Sequence, residues 1–295
     1  MEAAGPLLLF VGLVLAEALV ALIVAPYAAH SFLVVVEETA AGNDAVVWPD
    51  EPFVDWVWKV FYAAWLAGIW LGPVYLVLRR IEPAPLGETP LWKWLVAAAV
   101  LWLLFPISLL SSLSAASTWA VLHGPLLGRM VQRWPAVLTF YGLSAAVVAS
   151  GGLGVATALS AEWYALLPAA VGAAAAFLIY ARLLGRLGWV LRRAGAAESR
   201  PRRQSPPLGV SRSATLPQDP AGNGHAEPTT DEEARFEVRQ ARRRRPTDPP
   251  PTYPFFSGVF HFPVYPTTLG AWAKLTVGFG LLSALVRLQV DLMPG

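Results

Sequence analysis

The chain has 295 residues, 56% of them hydrophobic and 14% charged, with no cysteine and a formal net charge of +2. A soluble domain carries about 25% charged residues, so this composition excludes an ordinary soluble fold, and the missing cysteine excludes disulfides, thiolate metal sites and cysteine nucleophiles. Charge is unevenly placed: of the 22 Lys and Arg, fourteen fall between Arg182 and Arg245, leaving long stretches that suit lipid.

Six spans are predicted in chain order: Pro6 to Val36, Val57 to Leu78, Leu91 to Leu122, Ala136 to Leu159, Trp163 to Leu184 and Thr268 to Leu288. Each reaches the ~20 residues that cross a bilayer core of ~30 Å. Backbone polar groups in lipid must pair within their own segment, so the spans are helices and the fold class is an all-α, polytopic transmembrane bundle. The alternating segments of a β-barrel are absent. The N-terminal MEAAGPLLLF has no basic residue ahead of its apolar run, so the first run is expected to be a retained span. The first and third spans are long and contain Pro26 and Pro106, which are expected to kink or break them.

The first span holds Glu17 near its middle, inside FVGLVLAEALVALIV. A carboxylate in the hydrocarbon is costly and faces a bundle interior or a water-filled cavity, which makes Glu17 a candidate proton relay, ion ligand or assembly contact. The third span offers its expected partners in SLLSSLSAAST, with Ser108, Ser111 and Ser112 foremost. His123 is expected to end that helix together with Gly124 and Pro125, as a polar interface residue.

The first two spans are joined by AGNDAVVWPDEPFVDWVW, Ala41 to Trp58. Its Asp44, Asp50, Glu51 and Asp55 could be taken for acid–base pairs. Their setting points instead to a turn at Gly42-Asn43-Asp44, then a helix start at Asp50-Glu51-Pro52. Trp48, Phe53, Trp56 and Trp58 form an interfacial aromatic belt. His30 and Glu37 share a helical face, a weak metal signal, and no metal site is assigned.

In the fourth and fifth spans, Ser150, Gly154 and Ala158, and Gly172 and Ala176, mark close helix packing. Arginines then follow the fifth span closely, so that side is expected to be cytoplasmic and the N-terminus outside. Arg79, Arg80 and Lys93 oppose this orientation.

Three regions are expected: a five-span bundle with interfacial segments over 1–193, a Pro- and Ser-rich basic loop over 194–252, and an aromatic interfacial segment with the sixth span over 253–295. The loop cannot bury enough apolar surface to offset its chain entropy, so it is expected to be disordered. A short helix is predicted within it over 230–245, ending in Arg242, Arg243, Arg244 and Arg245, which would attract anionic lipid headgroups or an acidic protein. The loop lacks the aromatic interleaving and modules of nucleic-acid binders. A short hairpin is expected around Ser257-Gly258.

No HExxH, GxSxG, P-loop or GxGxxG pattern occurs in a fitting context, so no catalytic residue and no cofactor is assigned. The joined acidic and aromatic stretch around Ala41-Gly42, Trp48-Pro49-Asp50 and Trp56 resembles that of bacterial multi-span membrane proteins of the domain-of-unknown-function kind. The resemblance covers about the first 190 residues, and it implies a bacterial membrane bundle and no particular activity. The expected function is a non-enzymatic scaffold or assembly protein of the inner membrane with a cytoplasmic interaction loop. The alternatives are a small transporter or channel using Glu17, and a membrane-embedded enzyme.

Overall fold

The computed structural model describes residues 4–49, 51–81, 90–160, 163–198, 254–256 and 259–292. Residues 199–252 of the expected disordered loop, with its 230–245 helix and Arg242 to Arg245, the Ser257-Gly258 hairpin and Asp50 lie outside these residues, while 194–198 are helical, not loop. Seven helices make up most of what is described: α1 (Ala4–Ala41), α2 (Phe53–Ile81), α3 (Leu91–Ala115), α4 (Gly124–Gln132), α5 (Trp134–Ser160), α6 (Leu166–Glu198) and α7 (Pro266–Leu292). All but α4 are long and apolar enough to cross a bilayer. The chain is a multi-pass membrane protein with an all-α, polytopic bundle fold.

The ends of these helices follow from local chemistry. α1 stops at Gly42, whose φ of +93° places it in the left-handed region that favours glycine. Gly42 N–H donates to the Thr39 carbonyl at 2.9 Å and Asn43 N–H to the Glu38 carbonyl at 3.0 Å, the paired bonds of a Schellman cap. The third span is shorter than predicted. α3 ends at Ala115, because Ala116 turns left-handed at φ 48° and the serines there bond to nearby carbonyls. Ser112 Oγ donates to the Ser117 carbonyl at 2.9 Å and Ser114 Oγ to that of Ser111, a competition that favours helix ends over helix interiors. His123 therefore does not end the third helix. It caps the start of the separate helix α4, with Pro125 in its first turn.

Neither Pro26 nor Pro106 breaks its helix: α1 and α3 run continuously through them. Membrane helices tolerate proline where neighbouring helices and hydroxyls satisfy the freed groups. The fifth span is longer than predicted, continuing past Leu184 and residue 193 to Glu198. Its second half stays helical because it is enclosed by protein: Leu183, Leu184, Leu187 and Leu191 are all buried.

α6 is the hub, packed against α1, α4, α5 and α7. Small residues allow the approach. A Cβ on Gly185 would stand 2.5 Å from Thr39 Cβ and 2.8 Å from the Val36 carbonyl oxygen. A Cβ on Gly278 would meet Val24 at 2.8 Å, fixing α7 against α1. Burial is concentrated where α1 and α6 end. Residues 31–36 of α1 are all buried, whereas Leu8, Leu15, Leu19, Leu22 and Ile23 are exposed within the protein. The bundle is tight at one end and open at the other.

Candidate functional site at the packed end of the bundle

The polar residues of the first loop are drawn to the packed end by α6. Arg182 and Arg186 lie four residues apart, hence on one face of α6, and both are essentially fully buried. Their common partner is Asp44, half of whose side chain is exposed. Arg182 Nη2 donates to Asp44 Oδ1 at 2.9 Å and to the Asp44 carbonyl at 3.0 Å, and Arg186 Nη2 donates to the same Oδ1. Arg182 Nη1 reaches Thr39 Oγ1 at 3.0 Å and the Asn43 carbonyl at 3.2 Å. The planar fork thus reads both the carboxylate and the capped end of α1. The Phe262 ring lies 4.6 Å from the Arg182 guanidinium, bringing in the segment ahead of α7. The Nε atoms of both arginines have no hydrogen-bond partner among the described residues.

The rest of the loop is pinned at two more points. Val46 is buried, and Trp48 Nε1 donates to the Thr267 carbonyl at the start of α7. Glu51 meets Lys59 at 2.5 Å, and His30 Nδ1 lies 3.3 Å from Glu51 and 3.1 Å from Lys59 Nζ. The buried His30 ring stacks on Trp56 at 4.8 Å between centroids. Asp55 is exposed in the first turn of α2. The three described carboxylates of this stretch therefore do not form one cluster: Asp44 goes to α6, Glu51 to Lys59 and His30, and Asp55 to the surface. Among the described residues no group of three or more His, Asp or Glu is placed to hold a metal ion.

Glu17 occupies a different place from the one expected. It accepts a 2.8 Å hydrogen bond from Gln289 Nε2 of α7. The antiparallel register of the two helices runs from Lys274 over Tyr27, through Gly278 against Val24, to this pair. Gln289 sits between Arg287 and Asp291, which pair at 3.1 Å. Glu17 is thus level with the polar last turn of α7. The parallel register of α1 with α6, set by Thr39 with Arg182 and Phe32 with Phe177, brings it level with the start of α6. The middle of the predicted first span is not the middle of the packed bundle, because α1 is 38 residues long and outruns its neighbours.

The serines do not meet Glu17. Ser108 accepts from Trp70 Nε1 at 2.6 Å and Ser112 from Tyr62 Oη at 2.8 Å, tying α3 to α2. Ser111 is buried without a partner among the described residues. His123 Nδ1 lies 3.3 Å from Ser114 Oγ.

Two open clefts of about 500 Å³ flank Phe177 and Tyr180, one between α5 and α6 and one among α1, α2, α3, α6 and α7. Both are apolar, and neither is lined by Glu17, Ser111, Ser112 or Asp44. The charged cluster at the packed end joins α1, the first loop, α6 and the segment ahead of α7.

No protein-family model, no curated protein and no solved structure matches this chain.

The buried arginine pair escaped the sequence reading because Arg182 and Arg186 were counted with the basic residues that follow a span. One signal was present: two arginines at helical four-residue spacing inside YARLLGRLGW, flanked by leucines and by Gly185 and Gly188.

Proposed function

We propose that this multi-pass protein is a non-enzymatic scaffold of a bacterial inner membrane, presenting residues 199–253 to the cytoplasm as an interaction segment for an acidic protein or anionic lipid. One observation carries the reading. The chain on both sides of that segment is built into the same packed end: Trp189, Leu191 and Ala194 before it, and Phe255, Val259 and Phe262 after it, are buried. A segment held at both ends on a rigid base stays near that bilayer surface at high effective concentration. The basic residues support the orientation. Arg129, Arg133, Arg192, Arg193 and Lys274 lie toward the packed end, against Arg79, Arg80, Lys93 and Arg287 toward the other.

Crosslinking in native membranes tests the role. The parent chain should capture a partner that is lost when Arg242, Arg243, Arg244 and Arg245 become Gln and retained when they become Lys. Replacing residues 203–247 by a Gly/Ser linker with no change in any crosslinked partner or cellular phenotype would overturn it. The absence of native cysteine makes an introduced one unique. Ser205→Cys should react with an impermeant maleimide only after the cytoplasmic face is opened.

A further inference from the structure

The surface made by α4 and the last turns of α6 carries three cations without an ion pair among the described residues, and Glu198, the last residue of α6, is the one acid in either helix. The sequence from Thr89 to Ala161 contains no Asp or Glu, and neither does the stretch from Trp163 to Ala197. Asp44 takes up Arg182 and Arg186, and Arg193 lies over the Trp189 ring at 4.3 Å. Arg129, Arg133 and Arg192 make no ion pair with any described residue. The packing of α4 on α6 brings the turns that carry them together. The Arg129 guanidinium lies directly against Gly195, on the turn after Arg192, and Arg133 follows Arg129 by one turn. Arg133 and Arg192 are exposed.

The same surface is apolar beside its charge. Leu126 and Met130 hold α4 to the protein, while Val131 is 75% exposed and Trp134 61%. In the turn before α4, Leu122 is 53% exposed, while Trp119 packs on Trp65 of α2 at 4.8 Å between ring centroids. A soluble surface would not leave a tryptophan and two aliphatic side chains so open beside unpaired arginines. A short amphipathic helix lying in the headgroup plane does, with its rings at the acyl boundary and its guanidinium groups at the phosphates. Connectivity supplies the location, since α4 joins the end of one spanning helix to the start of the next.

We propose that this surface is a binding site for an anionic phospholipid of the surrounding bilayer. Arg129, Arg133 and Arg192 donate hydrogen bonds to the phosphate oxygens, and Val131 and Trp134 enter the acyl boundary. The site is separate from Arg242 to Arg245 and does not depend on the segment that holds them.

Native mass spectrometry of the full chain, released in a neutral detergent and offered phosphatidylglycerol or phosphatidylcholine, tests this. The parent should retain phosphatidylglycerol preferentially. Arg133→Gln and Arg192→Gln should each lower that retention about five-fold, the factor that roughly 1 kcal/mol per surface basic group gives. Arg133→Lys with Arg192→Lys should keep most of it, and Arg79→Gln with Arg80→Gln at the other end should leave it unchanged. The linker replacement of residues 203–247 should also preserve the preference. Equal retention of the two lipids, or unchanged phosphatidylglycerol binding in the Arg133→Gln/Arg192→Gln chain, overturns the proposal. So does a preference that disappears with the linker replacement and not with the arginines, since the lipid would then belong to the segment. The melting temperature of each variant in phosphatidylcholine alone shows whether it is folded. Should the Gln pair unfold there, the Lys pair decides: loss of its lipid preference overturns the site.

Discussion

Asp44→Ala is the perturbation that reports most directly on the packed end. The carboxylate accepts charge-assisted hydrogen bonds from two fully buried guanidinium groups. Hydrogen bonds to charged groups contribute about 1.5–3 kcal/mol each, so a fully enclosed pair of them would be worth roughly 3–6 kcal/mol. Asp44 is 51% exposed, however, and water already screens it, which reduces the expected loss to about 2–3 kcal/mol. Much of that loss is not the missing attraction. It is the desolvation left uncompensated on Arg182 and Arg186. Intrinsic tryptophan fluorescence of the purified protein in detergent, followed through thermal unfolding, measures it. At the 2–4 °C per kcal/mol seen for chains of 150–250 residues, the midpoint should fall by about 4–12 °C. The cause can be separated from loss of a loop contact. Adding Arg182→Leu and Arg186→Leu to Asp44→Ala removes the buried charge and should recover most of the stability, because well-packed apolar replacements of buried ion pairs are often neutral. A midpoint within 1 °C of the parent for Asp44→Ala, or a triple variant no more stable than the single one, would refute the reasoning.

Gly185→Ala places a methyl group against Thr39 and the Val36 carbonyl. It should cost about 1–3 kcal/mol by overpacking the α1–α6 contact, read in the same unfolding assay, and a neutral result would mean the helices separate freely there. Glu17→Gln keeps a hydrogen-bonding amide opposite Gln289. It should change stability by no more than about 0.5 kcal/mol, and any solute flux measured in proteoliposomes should be unaltered. A collapse of flux would instead assign Glu17 to transport.

The spans were legible because a bilayer imposes the same demand on every residue within it: apolar side chains and internally paired backbone. All six predicted spans appear as helices, with ends displaced where local chemistry competes with the apolar run. At Ser112 to Ser117 the hydroxyls end a helix that hydropathy alone would extend to Leu122. Past Leu184, burial against other helices sustains a helix that charge alone would end. The loop after α1 was legible as a turn from Gly42, Asn43 and Asp44, whose preferences are local. The partner of Asp44 was not, because it depends on which helix face meets the loop across 138 positions of sequence. Nor was the level of Glu17, which is set by how far α1 overhangs α7 and not by its position within an apolar run.

The bond between Asp44 and Arg182 also has a meaning in time. The two residues are 138 positions apart, and a ribosome adding about 5–20 residues per second makes the second roughly 7–28 s after the first. During that interval the first helical pair is already in the membrane with its connecting loop held by nothing that comes later. Arrival of the fifth span closes the latch, and with it the ordering of a loop that began the molecule. A nascent chain halted before Arg182 would therefore have the far half of the loop held by Glu51, Lys59 and His30, with Asp44 still lacking its arginines. The arginine pair thus marks molecules that have made their fifth span.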